Sequence, residues 1–122
     1  MPIVDLEIVC ESQAEMHAVS SRELADALGA VFNCAPAHTW VRVRYLLRAD
    51  YAENGVEQGA MELPAFVTVL HAHVPTGNAL DSEVAAVTRA VAQCIGRAQQ
   101  RVHVQYAPSA AGRQAFGGVL VR

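Results

Sequence analysis

Residues 2–48 and 64–107 of this chain repeat one pattern, and that duplication constrains the fold more than any single motif does. Pro2-Ile3-Val4 opens an apolar run to Val9, and Pro64-Ala65-Phe66-Val67 opens another to Val74, offset by 62 residues. Val41-Arg42-Val43-Arg44-Tyr45 then matches Val102-His103-Val104-Gln105-Tyr106 at an offset of 61, a Val-x-Val-x-Tyr signature in both halves. Self-similarity at a fixed spacing means that one supersecondary unit is built twice. Between the copies, residues 49–63 form a connector in which Asn54-Gly55 supplies turn chemistry and a short hairpin is expected.

Each unit reads strand, helix, strand. The first helix falls between Ser12 and Phe32: Ser12 with Glu15, or Ser20 with Glu23, can form a capping box, and Leu24, Leu28 and Val31 make an apolar stripe. The second is expected to begin near Asp81 or Ser82, with Val84, Val87, Val91 and Ile95 on one face. A strand, a long helix and a returning strand make a right-handed parallel crossover. Two copies therefore predict one α/β domain over residues 1–122, a four-stranded mixed sheet with two helices on one face. Residues 108–122 form a hairpin tail, with Phe116-Gly117-Gly118 leading into a short Val119-Leu120-Val121 strand.

Side chains two apart on a strand share a face. In the second strand Val41, Val43, Tyr45 and Leu47 suit the helix side, which leaves Trp40, Arg42, Arg44, Leu46 and Arg48 on the other. The first strand sets Val4, Leu6 and Ile8 against Ile3, Asp5, Glu7 and Val9. A semi-polar sheet face holding Trp40 and Leu46 among charges suits association with like subunits, the alternative being a solvated face.

Composition removes several functions. With 52% hydrophobic and 17% charged residues the chain is globular, and 9 basic against 12 acidic residues without runs create no positive field for nucleic acid. Apolar stretches such as 65–74 are half the roughly 20 residues a membrane helix needs. The Met-Pro start lacks a basic region and meets Asp5 early, so no signal peptide is expected and a cytoplasmic address is the default. Cys10, Cys34 and Cys94 are odd in number and widely spaced, which points to reduced thiols. His71 and His73 alternate onto one face, but no third metal ligand is visible nearby, so a packed or interface pair is expected and not a metal site. All nine basic residues are Arg, so amine chemistry falls to the chain start.

That makes Pro2 the first candidate. Removal of the initiator Met before a small residue leaves a secondary amine, whose reference pKa near 8 falls towards neutrality in an apolar pocket beside cations. A base with its pKa near the working pH is favoured.

The Met-Pro-Ile-Val start, Ala35-Pro36 before Val41-Arg42-Val43, the duplicated unit and the Phe116-Gly117-Gly118 tail together resemble the tautomerase superfamily over nearly the whole chain. The start is similar to the 4-oxalocrotonate tautomerase branch, and the two-unit length to the macrophage migration inhibitory factor and 5-carboxymethyl-2-hydroxymuconate isomerase branches. The resemblance implies a homotrimer whose sheets close into a central barrel with helices outside, and a site at each subunit boundary. It implies a keto–enol tautomerase or isomerase of a small 2-oxo acid or enol, without metal or organic cofactor. Pro2 is then the base and later the acid, and Arg42 binds the substrate carboxylate, work suited to a bidentate guanidinium. For Arg42 a cross-strand salt bridge to Asp5 or Glu7 remains the alternative. Arg44 is placed to stabilise enolate charge, and His103 and Gln105 stand where the migration-factor branch lines its pocket with Tyr and Asn, His103 being equally readable as a sheet histidine. Trp40 and Phe116 serve either as an apolar pocket wall or as core.

Three departures limit the inheritance of a substrate. Cys10-Glu11-Ser12-Gln13 lacks the oxalocrotonate branch's arginine, Cys34 falls near a lysine of the migration-factor branch, and Asn78 near a basic residue of the hydroxymuconate branch. Two other functions stay open: a proline-dependent hydratase, dehalogenase or decarboxylase of unsaturated acids, which needs a carboxylate to activate water, and a non-catalytic trimeric binding or scaffold protein.

Overall fold

A computed structural model describes residues 2–122 of the chain, so Met1, and with it the question of its removal, lies outside the described residues. Strand β1 (Ile3–Cys10) leads through a short 3-10 turn into helix α1 (Ser21–Val31) and returns as β2 (Trp40–Leu47). The second unit is β3 (Ala65–Leu70), α2 (Gly77–Ile95) and β4 (Val102–Tyr106). The sheet order is β2-β1-β3-β4; each unit's own strands are parallel, and β1 and β3 meet antiparallel at the centre. The two units therefore run in opposite directions across a mixed sheet, with the two helices packed on one face.

The core lies under the helices and follows the two-residue period. Val4, Leu6 and Ile8 of β1 and Ala65, Val67 and Val69 of β3 are at most 2% exposed, and they meet Leu24, Leu28, Val87 and Val91 from the helices. Each fully buried Leu or Val contributes about 1.5–3 kcal/mol relative to exposure, which is what holds α1 down through Leu24 and Leu28. Of the two candidate caps for α1, Ser20 is used: its hydroxyl accepts from the Glu23 N–H at 3.1 Å. Ser12 instead precedes the 3-10 turn Gln13–Glu15.

Two expectations change. Helix α2 starts at Gly77, earlier than Asp81 or Ser82, because the chain enters through Thr76 with no side-chain cap and Gly77 sits at φ +58°, where a glycine carries little strain. Gly96 ends it at φ +69° in the left-handed conformation, its N–H donating to the Ala92 carbonyl. The connector forms no hairpin. It holds the 3-10 turns Arg48–Asp50 and Gln58–Ala60, and its backbone is served by side chains: Arg48 donates to the Gln58 carbonyl while gripping Glu11, and Gln58 Nε2 donates to the Tyr51 carbonyl at 2.6 Å. The tail does form a hairpin, β5 (Ala115–Phe116) with β6 (Val119–Leu120), turning on Gly117 and Gly118 at φ +56° and +89°.

Candidate active site

Pro2 is buried just ahead of β1. The period that buries Val4 and Leu6 puts it on the helix side of the sheet. Its carbonyl accepts the Trp40 N–H at 3.1 Å, which ties it to the start of β2. Trp40, whose parity turns its ring to the open face with Arg42, is 41% exposed and meets Phe116 edge to face, ring centroids 5.0 Å apart, so these two aromatic residues are brought together there.

The remaining residues of interest lie on the opposite, open face. Arg42 stands level with Asp5 in the β1–β2 register and grips it with Nε at 2.6 Å and Nη2 at 2.9 Å. Its guanidinium side chain is 63% exposed, and the Asp5 hydrogen bond holds its pKa above the ordinary arginine value. The cross-strand pair is thus formed within the chain. Two of the five guanidinium N–H groups are used, so three remain for another acceptor. Arg44, His103 and Gln105 are gathered into one groove of about 490 Å³ that also includes Glu7, Phe66 and Thr68. Gln105 Nε2 donates to Thr68 Oγ1 at 3.0 Å, and His103 stacks at a tilt on Phe66 with centroids 5.6 Å apart. Within one chain, then, Pro2 and Arg42 face opposite sides of the sheet.

A cluster that the sequence reading did not connect lies on the Pro2 side. The Glu83 carboxylate, from the second turn of α2, accepts the Tyr106 O–H at 2.7 Å and meets His71 Nε2 at 2.9 Å through the same oxygen. The His71 and Glu83 side chains are only 14% and 15% exposed. Phe32 closes on the His71 ring edge to face, with centroids 4.9 Å apart. Burial, and then the bond to Glu83, push the Tyr106 phenol well above the ordinary tyrosine range, so it remains a donor. His71 stands one residue beyond β3 at the parity of Val67 and Val69, which is the signal that marks it as facing the helices. His73 is exposed, and among the described residues no group of three or more metal-ligating side chains converges.

Two β-α-β units opposed across a β2-β1-β3-β4 sheet, with a buried proline leading into β1, define the tautomerase and macrophage migration inhibitory factor fold. Among solved structures similar to the chain is a fused 4-OT, a symmetric trimer, at 19% identity and TM-score 0.75, covering 98% of this chain and 94% of that one. A protein inactivated by 2-oxo-3-pentynoate matches at 17% identity and TM-score 0.74 over 97% and 94% of the two chains. A macrophage migration inhibitory factor homologue from Prochlorococcus marinus matches at 12% identity and TM-score 0.72 over 98% and 99%. At these identities the likeness is one of fold. No protein-family model and no curated protein matches the sequence.

Proposed function

We propose that the protein is a cofactor-independent keto–enol tautomerase of a small 2-oxo acid, in which Pro2, freed by removal of Met1, carries the proton between carbon and oxygen. The supporting observation is the burial of Pro2 at the mouth of β1, where its carbonyl is held by the Trp40 N–H. An amine so enclosed loses hydration of its charged form, which lowers its pKa towards neutrality and makes it a base at working pH. A similar structure inactivated by a 2-oxo acid agrees with that substrate class. Arg42 binds the substrate carboxylate. Since Pro2 and Arg42 face opposite sides of the sheet in one chain, a site using both takes the arginine from a neighbouring copy in a homotrimer. Arg44, His103 and Gln105 supply charge and hydrogen bonds to the developing enolate and the rest of the substrate, and Trp40 and Phe116 form the apolar wall.

The test is an intact mass of untagged protein followed by a phenylpyruvate enol–keto assay on the same sample. Loss of one methionine is expected, with turnover that falls about 10²–10⁴-fold in Pro2→Ala, the usual share of general acid–base catalysis. Retained Met1, or full activity in Pro2→Ala, overturns the proposal; retained Met1 without turnover supports a scaffold. A second reading, addition of water to an unsaturated acid or its decarboxylation by a protonated Pro2, is favoured by the enclosed Glu83 carboxylate on the Pro2 side. The pH profile separates the two: kcat/KM falls towards acid for a proline base and towards alkali for a proline acid.

A further inference from the structure

We infer that His71, Glu83 and Tyr106 form a positioning network that sets the proton affinity of the Pro2 amine. The inference rests on the proposal that Pro2 is the proton carrier. The β1–β3 ladder is antiparallel and its last pair sets Ile3 opposite Leu70, so the next step outward brings Pro2 abreast of His71. Both residues continue the parities of the buried face, Val4 on one strand and Val69 on the other, so both turn towards the helices. There the imidazole is fixed from two sides, by Glu83 at Nε2 and by the Phe32 ring. When the imidazole is neutral, Nε2 carries the proton given to Glu83, and Nδ1 is left as an acceptor.

An amine enclosed by apolar groups gives up its proton too readily unless a negative charge lies close. Glu83 is that charge. Of the titratable groups on the neighbouring elements, the Cys34 thiol points to the Phe32 carbonyl, Arg113 grips the Ser109 carbonyl, and Asp5 and Arg42 pair with each other on the opposite face of the sheet. Tyr106 has the opposite influence to Glu83, because its O–H disperses the carboxylate charge. The network therefore contains an element that raises the proline pKa and one that moderates the rise.

The experiment follows the ¹⁵N shift of labelled Pro2 through a pH titration, beside the pH dependence of kcat/KM, in wild type, Glu83→Gln and Tyr106→Phe, each shown folded by circular dichroism. Glu83→Gln is expected to lower the Pro2 midpoint by about one pH unit and Tyr106→Phe to raise it, with the acid limb of kcat/KM moving in step. Opposite shifts from two neighbours are not the result of loosened packing, which moves both the same way. A Pro2 midpoint unchanged in folded, active Glu83→Gln, or shifts of one sign in both variants, overturns this inference alone. Opposite shifts in protein without turnover uphold it and overturn the tautomerase reading, and retained Met1 overturns both.

Discussion

In the proposed function Arg42 would serve two partners. Its pair with Asp5 is solvent-exposed and therefore screened, so a substrate carboxylate would compete for the guanidinium on easy terms. Asp5→Asn is expected to lower KM by freeing the fork, while Arg42→Ala raises KM by about tenfold or more with a smaller change in kcat; steady-state kinetics on one 2-oxo acid distinguishes them, and an unchanged KM in both removes Arg42 from the site. Glu53 gives a residue-level pH prediction. Its carboxylate accepts from Tyr51 O–H at 2.7 Å and Arg101 Nη2 at 2.5 Å, and these bonds, Tyr51 first, hold its pKa below the ordinary glutamate value. A folded pKa below the unfolded one contributes stability above the unfolded pKa that is lost as pH falls through the folded one. The stability difference between wild type and Glu53→Gln should thus be largest near neutrality and shrink below about pH 4, as urea titrations at several pH values would read. Asp5 was legible as a partner of Arg42 because both lie on strands with a fixed two-residue period. The Glu83 network was not, since the β3 exit, a helix turn and β4 converge only in three dimensions.

Among elements, α1 was readable from its cap and stripe, and the prediction follows from both. Ser20→Ala removes the one side-chain acceptor at its start and is expected to lower stability by about 1 kcal/mol. Leu28→Ala, at 0% exposure, is expected to lower it by about 2–5 kcal/mol. Equal effects in denaturant melts would show that α1 is held as much by its cap as by its buried face. The start of α2 was less legible. The apolar stripe marks its body but not its first turn, and the residues of α2 that pack in the core, Val87, Val91 and Ala92, all lie well beyond Gly77. The connector misled for a related reason: Asn54-Gly55 does turn, with Gly55 at φ +75°, but Arg48 and Gln58 take the backbone groups that a hairpin would pair.

For the whole molecule, the duplication carried most of the fold: two equal units, one sheet, helices on one side. The two-residue alternation pointed to association of the open face with like subunits, but not to the number of copies. A homotrimer predicts a light-scattering mass three times 13.1 kDa at micromolar concentration, and a monomer there would remove the shared site proposed above. Exposure of Val119 at 73% and Leu120 at 40% on the tail hairpin places further apolar surface where a neighbouring copy can cover it.

The opposed direction of β1 and β3 has a consequence for how many reactive centres the duplication can yield. Pro64 is to the second unit what Pro2 is to the first, yet it stands at the far end of the sheet and inside the chain, so its nitrogen is an amide with no basic lone pair. Its carbonyl is occupied as well, accepting Val9 N–H at 3.1 Å and Arg97 Nη1 at 2.9 Å. The sheet is thus nearly symmetric in shape, and the Pro2 chemistry proposed above would make it wholly asymmetric in reactivity. A three-chain assembly would hold six units and three amines, leaving the Pro64 end free to specialise as a purely mechanical joint.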